Sequence, residues 1–267
     1  MELYDVIFKG DAIYDMVFFS TKTALEYPTL TDLKNNDIGL FNQWKEISKI
    51  KHGFDIDLVI QNSVKIVEDG DRIPGDETYK MYAPYIPEFC KIVSIVYGVM
   101  YTENGEIKRN YKKITNSYEK HLIDAFFDDI NIMSSDGKQI ILCGYNVFGN
   151  EIPLLFKRHF RNSTSDDNKT KIPTFLKKAL TMKPWDCGVI DIKNVWKFNG
   201  YEATQLMLIA DFLGLKRTTE LMSPPELSKF YWENVIDNPE QTNKQVELQC
   251  ATQANMCMQI INELRKY

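Results

Sequence analysis

Two β-prone runs, KIVSIVYGVMY from Lys91 to Tyr101 and a shorter one from Ile107 to Tyr111, flank the tetrapeptide TENG. Runs of this kind around a glycine-containing turn form a hairpin. After the hairpin the pattern changes period. A helical stretch from about Tyr118 to Ile130 spaces Leu122, Phe126 and Ile130 four apart, and KQIILCGYN then supplies a short apolar strand, Ile140 to Cys143. A helix, a brief strand at Val189 to Ile192 and further helices follow. Upstream, Asp15 to Phe19 reads as a central strand that runs into a loop. A hairpin followed by alternating helix and strand predicts an α/β chain. Its mixed sheet combines an antiparallel hairpin with parallel strands and carries helices on both faces.

The helices carry their own marks. Residues Asp37 to Ile50 place Phe41, Trp44 and Ile47 on one face. Pro153 falls in the first turn of the next helix after Cys143, where its missing N–H costs nothing, and Ile152, Leu155, Phe156 and Phe160 form the expected inner stripe. From Ala203 to Leu213, Leu206, Ile209, Ala210 and Leu213 point inward, with Gly214 at the closing position. The last helix is the clearest, since Val246, Cys250, Ala254, Cys257, Ile261 and Leu264 make one continuous apolar stripe. Between Lys51 and Pro87 the pattern is irregular, with turn signals at Asp69-Gly70 and Pro74-Gly75. The chain is therefore expected to be a single domain over 1–267 with an irregular insertion around 51–87.

The net charge of −5 excludes a surface coated in basic residues, though not a local basic groove. No apolar run approaches the roughly 20 residues needed to cross a bilayer, so no membrane partner is expected. The start, MELYDVIFKGD, lacks a basic stretch followed by an apolar one, and no secretory signal is expected. Cys90, Cys143, Cys187, Cys250 and Cys257 are scattered, and the three histidines lie far apart, which disfavours zinc. Buried thiols in a reducing, cytoplasmic compartment are the expectation. One segment departs from the average charge. Lys157, Arg158, Arg161, Lys169, Lys171, Lys177, Lys178 and Lys183 are opposed only by Asp166 and Asp167. It is either a solvated basic face or a rim that meets phosphates, and RNSTSDDNKTK within it reads as a polar loop.

Six stretches carry a resemblance: FFSTKT, PEFCKIVSI, LCGYNVFGNEIPLLFKR, KPWDCGVIDIKNVWKF, LIADFLGL and YW with the later QCATQANM. In their order and spacing the chain resembles, from about Tyr14 to Tyr267, the 3′–5′ exonucleases of the DEDD superfamily. The nearest likeness is to the bacterial and phage group related to the proofreading domain of family-B DNA polymerases. The resemblance implies a ribonuclease H-like fold and hydrolysis of a terminal phosphodiester by two divalent ions, magnesium or manganese. Such ions want hard oxygen ligands, which that family supplies as four carboxylates.

Residue by residue, the resemblance fails at the chemistry. The family's first motif is Asp-x-Glu on the first strand, a step that puts both side chains on one face. Ser20 and Lys22 stand there. The second motif is Asn, four residues, then Asp; here Asn146 is in place and Glu151 follows. The third is Tyr-x-x-x-Asp on the final helix, where Gln249 and Gln253 occupy the two positions on one helical face. Asp191 matches an acidic strand position that orients neighbours. An ammonium about 4 Å from a divalent ion costs several kcal/mol even at an effective dielectric near 20.

The resemblance therefore implies an exonuclease-like protein without catalytic residues and with no cofactor expected. The Lys22 ammonium is expected to pair with Glu151 where a metal would stand. Two occupants stay open: single-stranded nucleic acid, held by Asn146, Lys157, Arg158, Arg161, Lys177 and Lys178, or a protein partner, including a second copy. A phage structural or scaffold role, with placement in the virion, belongs to the second. The remaining alternative is an active nuclease with magnesium or manganese on Glu151 and Asp191, helped by Asp15 or Glu26. Asp15 lies roughly 17 Å from Ser20 along an extended strand, too far to substitute.

Overall fold

A computed structural model of the chain describes residues 15–53, 55–56, 75–103, 106–114, 118–135, 140–163, 172–182, 188–198, 200 and 204–266. The hairpin tip at 104–105, the turn signals Asp69-Gly70 and Pro74, Cys187, and Lys169, Lys171, Lys183, Asp166 and Asp167 lie outside the described residues. The chain forms two compact units. The first draws on Met1–Lys22, Ile92–Leu221 and Asn243–Tyr267, the second on Thr23–Lys91 and Met222–Thr242.

A five-stranded mixed sheet organises the first unit. Its strands are β1 (Asp15–Leu25), β2 (Cys90–Glu103), β3 (Glu106–Ile114), β4 (Ile140–Gly144) and β5 (Val189–Asp191). Their order is β3-β2-β1-β4-β5. β2 and β3 pair antiparallel, Gly98 opposite Tyr111, as the hairpin pattern predicts. β4 pairs in parallel with β1, Phe18 opposite Cys143, and β5 in parallel with β4, Gly144 opposite Asp191. This is the mixed α/β class expected, and its order is consistent with a ribonuclease H-like sheet.

Alternation along the strands makes two cores, because successive side chains leave a strand on opposite faces. Val17, Phe19, Ile95, Tyr97, Leu142 and Val189 pack on one face with Leu122, Phe126, Phe127, Ile130, Leu155 and Leu176. Met16, Phe18, Ile141, Cys143 and Ile190 pack on the other with Leu206, Ile209, Ala210, Cys257, Ile260 and Ile261. Helices thus cover both faces.

In chain order the helices are α1 (Leu30–Asn36), α2 (Ile38–His52), α3 (Asp76–Tyr82), α4 (Glu119–Met133), α5 (Ile152–Asn162), α6 (Thr174–Ala179), α7 (Ile192–Val195), α8 (Leu206–Phe212), α9 (Pro224–Asn234) and α10 (Pro239–Leu264). Every residue of the predicted α10 stripe is buried, and Gly214, at φ 65°, follows α8 in the left-handed conformation glycine favours.

Several local expectations need correction. β1 does not stop at Phe19 but runs on through Ser20, Thr21 and Lys22 to Leu25, because the hydrogen-bonded ladder tolerates polar side chains. β5 ends at Asp191, whose side chain caps α7, so Ile192 is helical. α8 begins at Leu206, with 201–203 outside the described residues. Phe160 is 62% exposed. The buried face of α5 is centred between Leu155 and His159, and Phe160 lies about 100° further round the helix.

The second unit has its own core of Leu25, Leu30, Leu33, Phe41, Trp44, Ile56, Tyr79, Ala83 and Phe89. Trp44 meets Tyr79 and Phe89 edge-on at 5.3 and 5.4 Å. Within the stretch read as irregular, α3 is a regular helix and supplies Tyr79 to that core. Ser223 and Glu226 close a reciprocal capping box at the start of α9. Among the described residues no helix is long and apolar enough to cross a membrane.

Candidate functional site

The carboxyl ends of the three parallel strands are where an α/β sheet presents a ligand site. Here β1 contributes Ser20, Thr21 and Lys22, the chain after β4 contributes Asn146 to Glu151, and β5 ends on Asp191 followed by Lys193. Between Asn146 and Glu151 the backbone makes a widened helical turn, in which Glu151 N–H donates to the Asn146 carbonyl at 3.4 Å. Such π-type turns recur at functional sites. Asn146 enters it at φ 58°, and a Cβ on Gly149 would meet the Asn146 Oδ1 at 2.5 Å, so a larger residue at 149 would push the Asn146 amide aside.

Three positions singled out by the resemblance meet side chain to side chain. Lys22 Nζ donates to Gln253 Oε1 at 2.5 Å. Gln253 Nε2 donates in turn to Glu151 Oε1 at 3.2 Å. Glu151 Oε2 accepts the Thr21 N–H at 3.1 Å and also the Thr21 hydroxyl. The expected pairing of Lys22 with Glu151 is thus indirect: the ammonium reaches the carboxylate through an amide. The i, i+4 step on α10 puts both glutamines on one helical face, yet only Gln253 enters this chain. Gln249 is buried and donates to the Glu220 carbonyl at 2.8 Å, outside the cluster. Ser20 is fully buried, and its carbonyl accepts the Cys250 thiol at 2.9 Å.

Burial dominates the electrostatics. It pushes the Glu151 carboxyl up to about 7, against the opposing pull of Thr21, Lys22 and Gln253. It pushes the Lys22 amine down from its ordinary value, opposed by Cys250, Glu151 and Cys257. Over its whole surface Lys22 is only half-buried. The thiols of Cys143, Cys250 and Cys257 are all raised by burial, and with Cys90 they are free and buried.

Asp191 is spent on the backbone. Its Oδ1 accepts the N–H groups of Asn146 at 2.8 Å and Lys193 at 3.0 Å, and its Oδ2 accepts that of Phe148 at 3.2 Å. It orients the turn that delivers Glu151, as a strand-end aspartate does. Among the described residues no group of three or more His, Cys, Asp or Glu side chains is placed to hold a metal ion. Of the other candidates for a relocated ligand set, Asp15 starts β1 and Glu26 belongs to the second unit.

The basic candidates divide. Arg158 is 2% exposed and turned to Glu119, its Nε at 2.8 and 3.0 Å from the two oxygens and its Nη2 at 2.6 Å. It cannot serve as a phosphate contact. Lys157, Lys177 and Lys178 are exposed and Arg161 is half-buried. Asn146 Oδ1 accepts Lys193 Nζ at 3.1 Å.

Two participants escaped the sequence reading. Thr21 lies between the two motif positions, and strand alternation assigns it to the opposite face; yet its main-chain N–H and hydroxyl hold Glu151. Lys193 had a signal in its place two residues after the strand-end Asp191. With this geometry in view, comparison with known proteins finds no matching family model and no matching curated protein.

Proposed function

We propose that this chain is an exonuclease-like protein, of bacterial or phage origin, that acts by binding and does not hydrolyse phosphodiesters. The observation that supports this reading is the chain of hydrogen bonds from Lys22 through Gln253 to Glu151. Two-metal hydrolysis needs clustered negative charge at the strand ends. Here that place is lined by an ammonium, an amide and one carboxyl raised to about 7. The four buried free thiols suit a reducing bacterial cytoplasm, with the virion of a phage as the alternative location.

A digestion assay on end-labelled single strands with manganese, run beside Glu151→Gln, tests the reading. The expected result is no shortening with either protein. Shortening by the wild type that the substitution abolishes would establish an active nuclease on a different ligand set.

A further inference from the structure

We propose that the second unit carries a small-molecule site, a cavity between α3 and α9 that takes an organic cation with an apolar body and a carbonyl oxygen. This site goes beyond the role assigned to the strand ends, and it stands whether or not the chain hydrolyses phosphodiesters.

The cavity encloses about 560 Å³, within the roughly 300–1,000 Å³ usual for small-ligand sites. Every residue that lines it belongs to the second unit. Its apolar wall is made by Leu25 and Pro28 at and after the end of β1, Met81 on α3, and Pro225 and Trp232 on α9. Two side chains of α9 fix this wall through the Leu25 backbone. Ser228 Oγ accepts the Leu25 N–H at 3.0 Å, and Trp232 Nε1 donates to the Leu25 carbonyl at 2.9 Å. The Lys91 ammonium, which does not line the cavity, rests 4.3 Å from the centre of the Trp232 ring. The indole is therefore held in place before a ligand arrives, and little freedom is lost when an apolar group packs on it.

Ser228 also points to a ligand. It is 3% exposed and lines the cavity. Its oxygen takes the Leu25 N–H, but among the described residues no acceptor takes its own proton. A buried donor without an acceptor is costly, and a carbonyl oxygen in the cavity satisfies it. Charge then sets the sign of the ligand. Glu77, Glu226 and Glu233 line the cavity with Lys80 and Lys229. Lys80 is matched at 2.6 Å by Asp76, which is not part of the lining, and Lys229 reaches Glu233 only at 3.9 Å. Glu226 is taken by the Ser223 N–H and hydroxyl. Glu77 is exposed, and among the described residues no cation pairs with it. This excess of negative charge attracts a cation and repels an anion. A ligand with an ammonium at Glu77, an apolar group on Trp232 and a carbonyl at Ser228 answers all three features.

Calorimetric titration of the full chain at low salt and about pH 6, where an α-amine is charged, tests the site with three matched probes. Phenylalanine amide is the cation, N-acetylphenylalanine amide its neutral form, and N-acetylphenylalanine the anion. The cation is expected to saturate one site per chain, at least threefold more tightly than the neutral amide, with no binding of the anion. Its affinity should fall as salt rises. Trp232→Leu should weaken the cation tenfold or more and Ser228→Ala at least threefold, while Lys229→Gln should not weaken it. Near-ultraviolet circular dichroism confirms that each variant is folded. Trp232 and Ser228 also hold Leu25, so the deciding variant is Glu77→Gln, at an exposed position. It should remove the preference for the cation over the neutral amide. Binding of none of the probes would overturn the site. Equal or tighter binding of the neutral amide or the anion would overturn the cation, as would a Glu77→Gln variant that keeps the preference. None of these results bears on the digestion assay, so this site and the non-hydrolytic reading fail separately.

Discussion

Glu151 holds its proton where an unfolded chain has already lost it. Its ordinary value near 4.5 rises to about 7 in the fold, with burial as the cause. Between these values the folded state binds more protons than the unfolded one. The group's contribution to stability is therefore complete below about 4.5 and is lost as pH rises through about 7. Lys22 has the opposite sign. Burial lowers its amine from 10.5, so its contribution is present above that value and is lost as pH falls through the folded one. The groups facing Glu151 are Lys22 on β1 and Cys250 and Cys257 on α10, and both thiols are raised further from neutrality. In urea denaturation at pH 5 and at pH 8, the stability of the wild type relative to Glu151→Gln should fall by on the order of 3 kcal/mol. A difference that stays flat, or rises, would mean that Glu151 is ionised throughout. The sequence reading found this carboxylate but not its holder. Motif spacing says which side chains share a strand face, whereas Thr21 grips Glu151 with its backbone N–H as well as its hydroxyl. Nothing in a residue's spacing reports a main-chain donor.

At the scale of elements, α4 and α5 are joined by an ion pair that no pattern announces. Arg158 was read as part of a basic rim because its neighbours are basic. Its partner Glu119 lies 39 residues earlier and also accepts from Asn162 Nδ2 and from the Ile92 N–H. The pair is nearly enclosed, with the side chains 3% and 8% exposed. Breaking such a pair leaves a buried charge without its mate, so Arg158→Ala should cost roughly 3–5 kcal/mol in chemical denaturation. Replacing both partners by apolar residues, as in Arg158→Met with Glu119→Leu, should cost clearly less than Arg158→Ala alone. Equal losses would show that packing of the arginine stem, rather than charge, holds the helices together. The contrast with α10 is physical. Its stripe was legible because its buried positions follow one local period, whereas the buried face of α5 includes Arg158, whose partner Glu119 lies on another helix. For the same reason the Phe160 position was misread: local spacing alone allowed it on either side of the buried face.

Across the whole molecule, the candidate site is assembled from the beginning, middle and end of the chain. Lys22 comes from β1, Glu151 from the turn after β4, and Gln253 from α10. The order of elements in the sequence was enough to anticipate the sheet that brings these ends together, since a hairpin followed by alternating helix and strand leaves few layered arrangements. It was not enough to give the contacts, because an amide inserted between an amine and a carboxylate depends on side-chain lengths, not on period. This distributed origin has a measurable consequence. If a strand end poor in negative charge disfavours divalent ions, adding one carboxylate should not suffice, since Glu151 with one partner cannot balance two ions. Lys22→Glu by itself removes an ammonium and adds one charge, and calorimetric titration with manganese should show at most one weak site. The combination Ser20→Asp, Lys22→Glu and Gln253→Asp places three new carboxylates beside Glu151. It should bind manganese at least tenfold more tightly than the wild type, with a stoichiometry approaching two. Ser20 is fully buried, so the triple variant must first be shown to be folded. A folded triple variant that binds no manganese would mean that these positions do not converge as a ligand set. Two-ion binding by Lys22→Glu alone would mean that the ammonium, and not the missing carboxylates, was the whole obstacle.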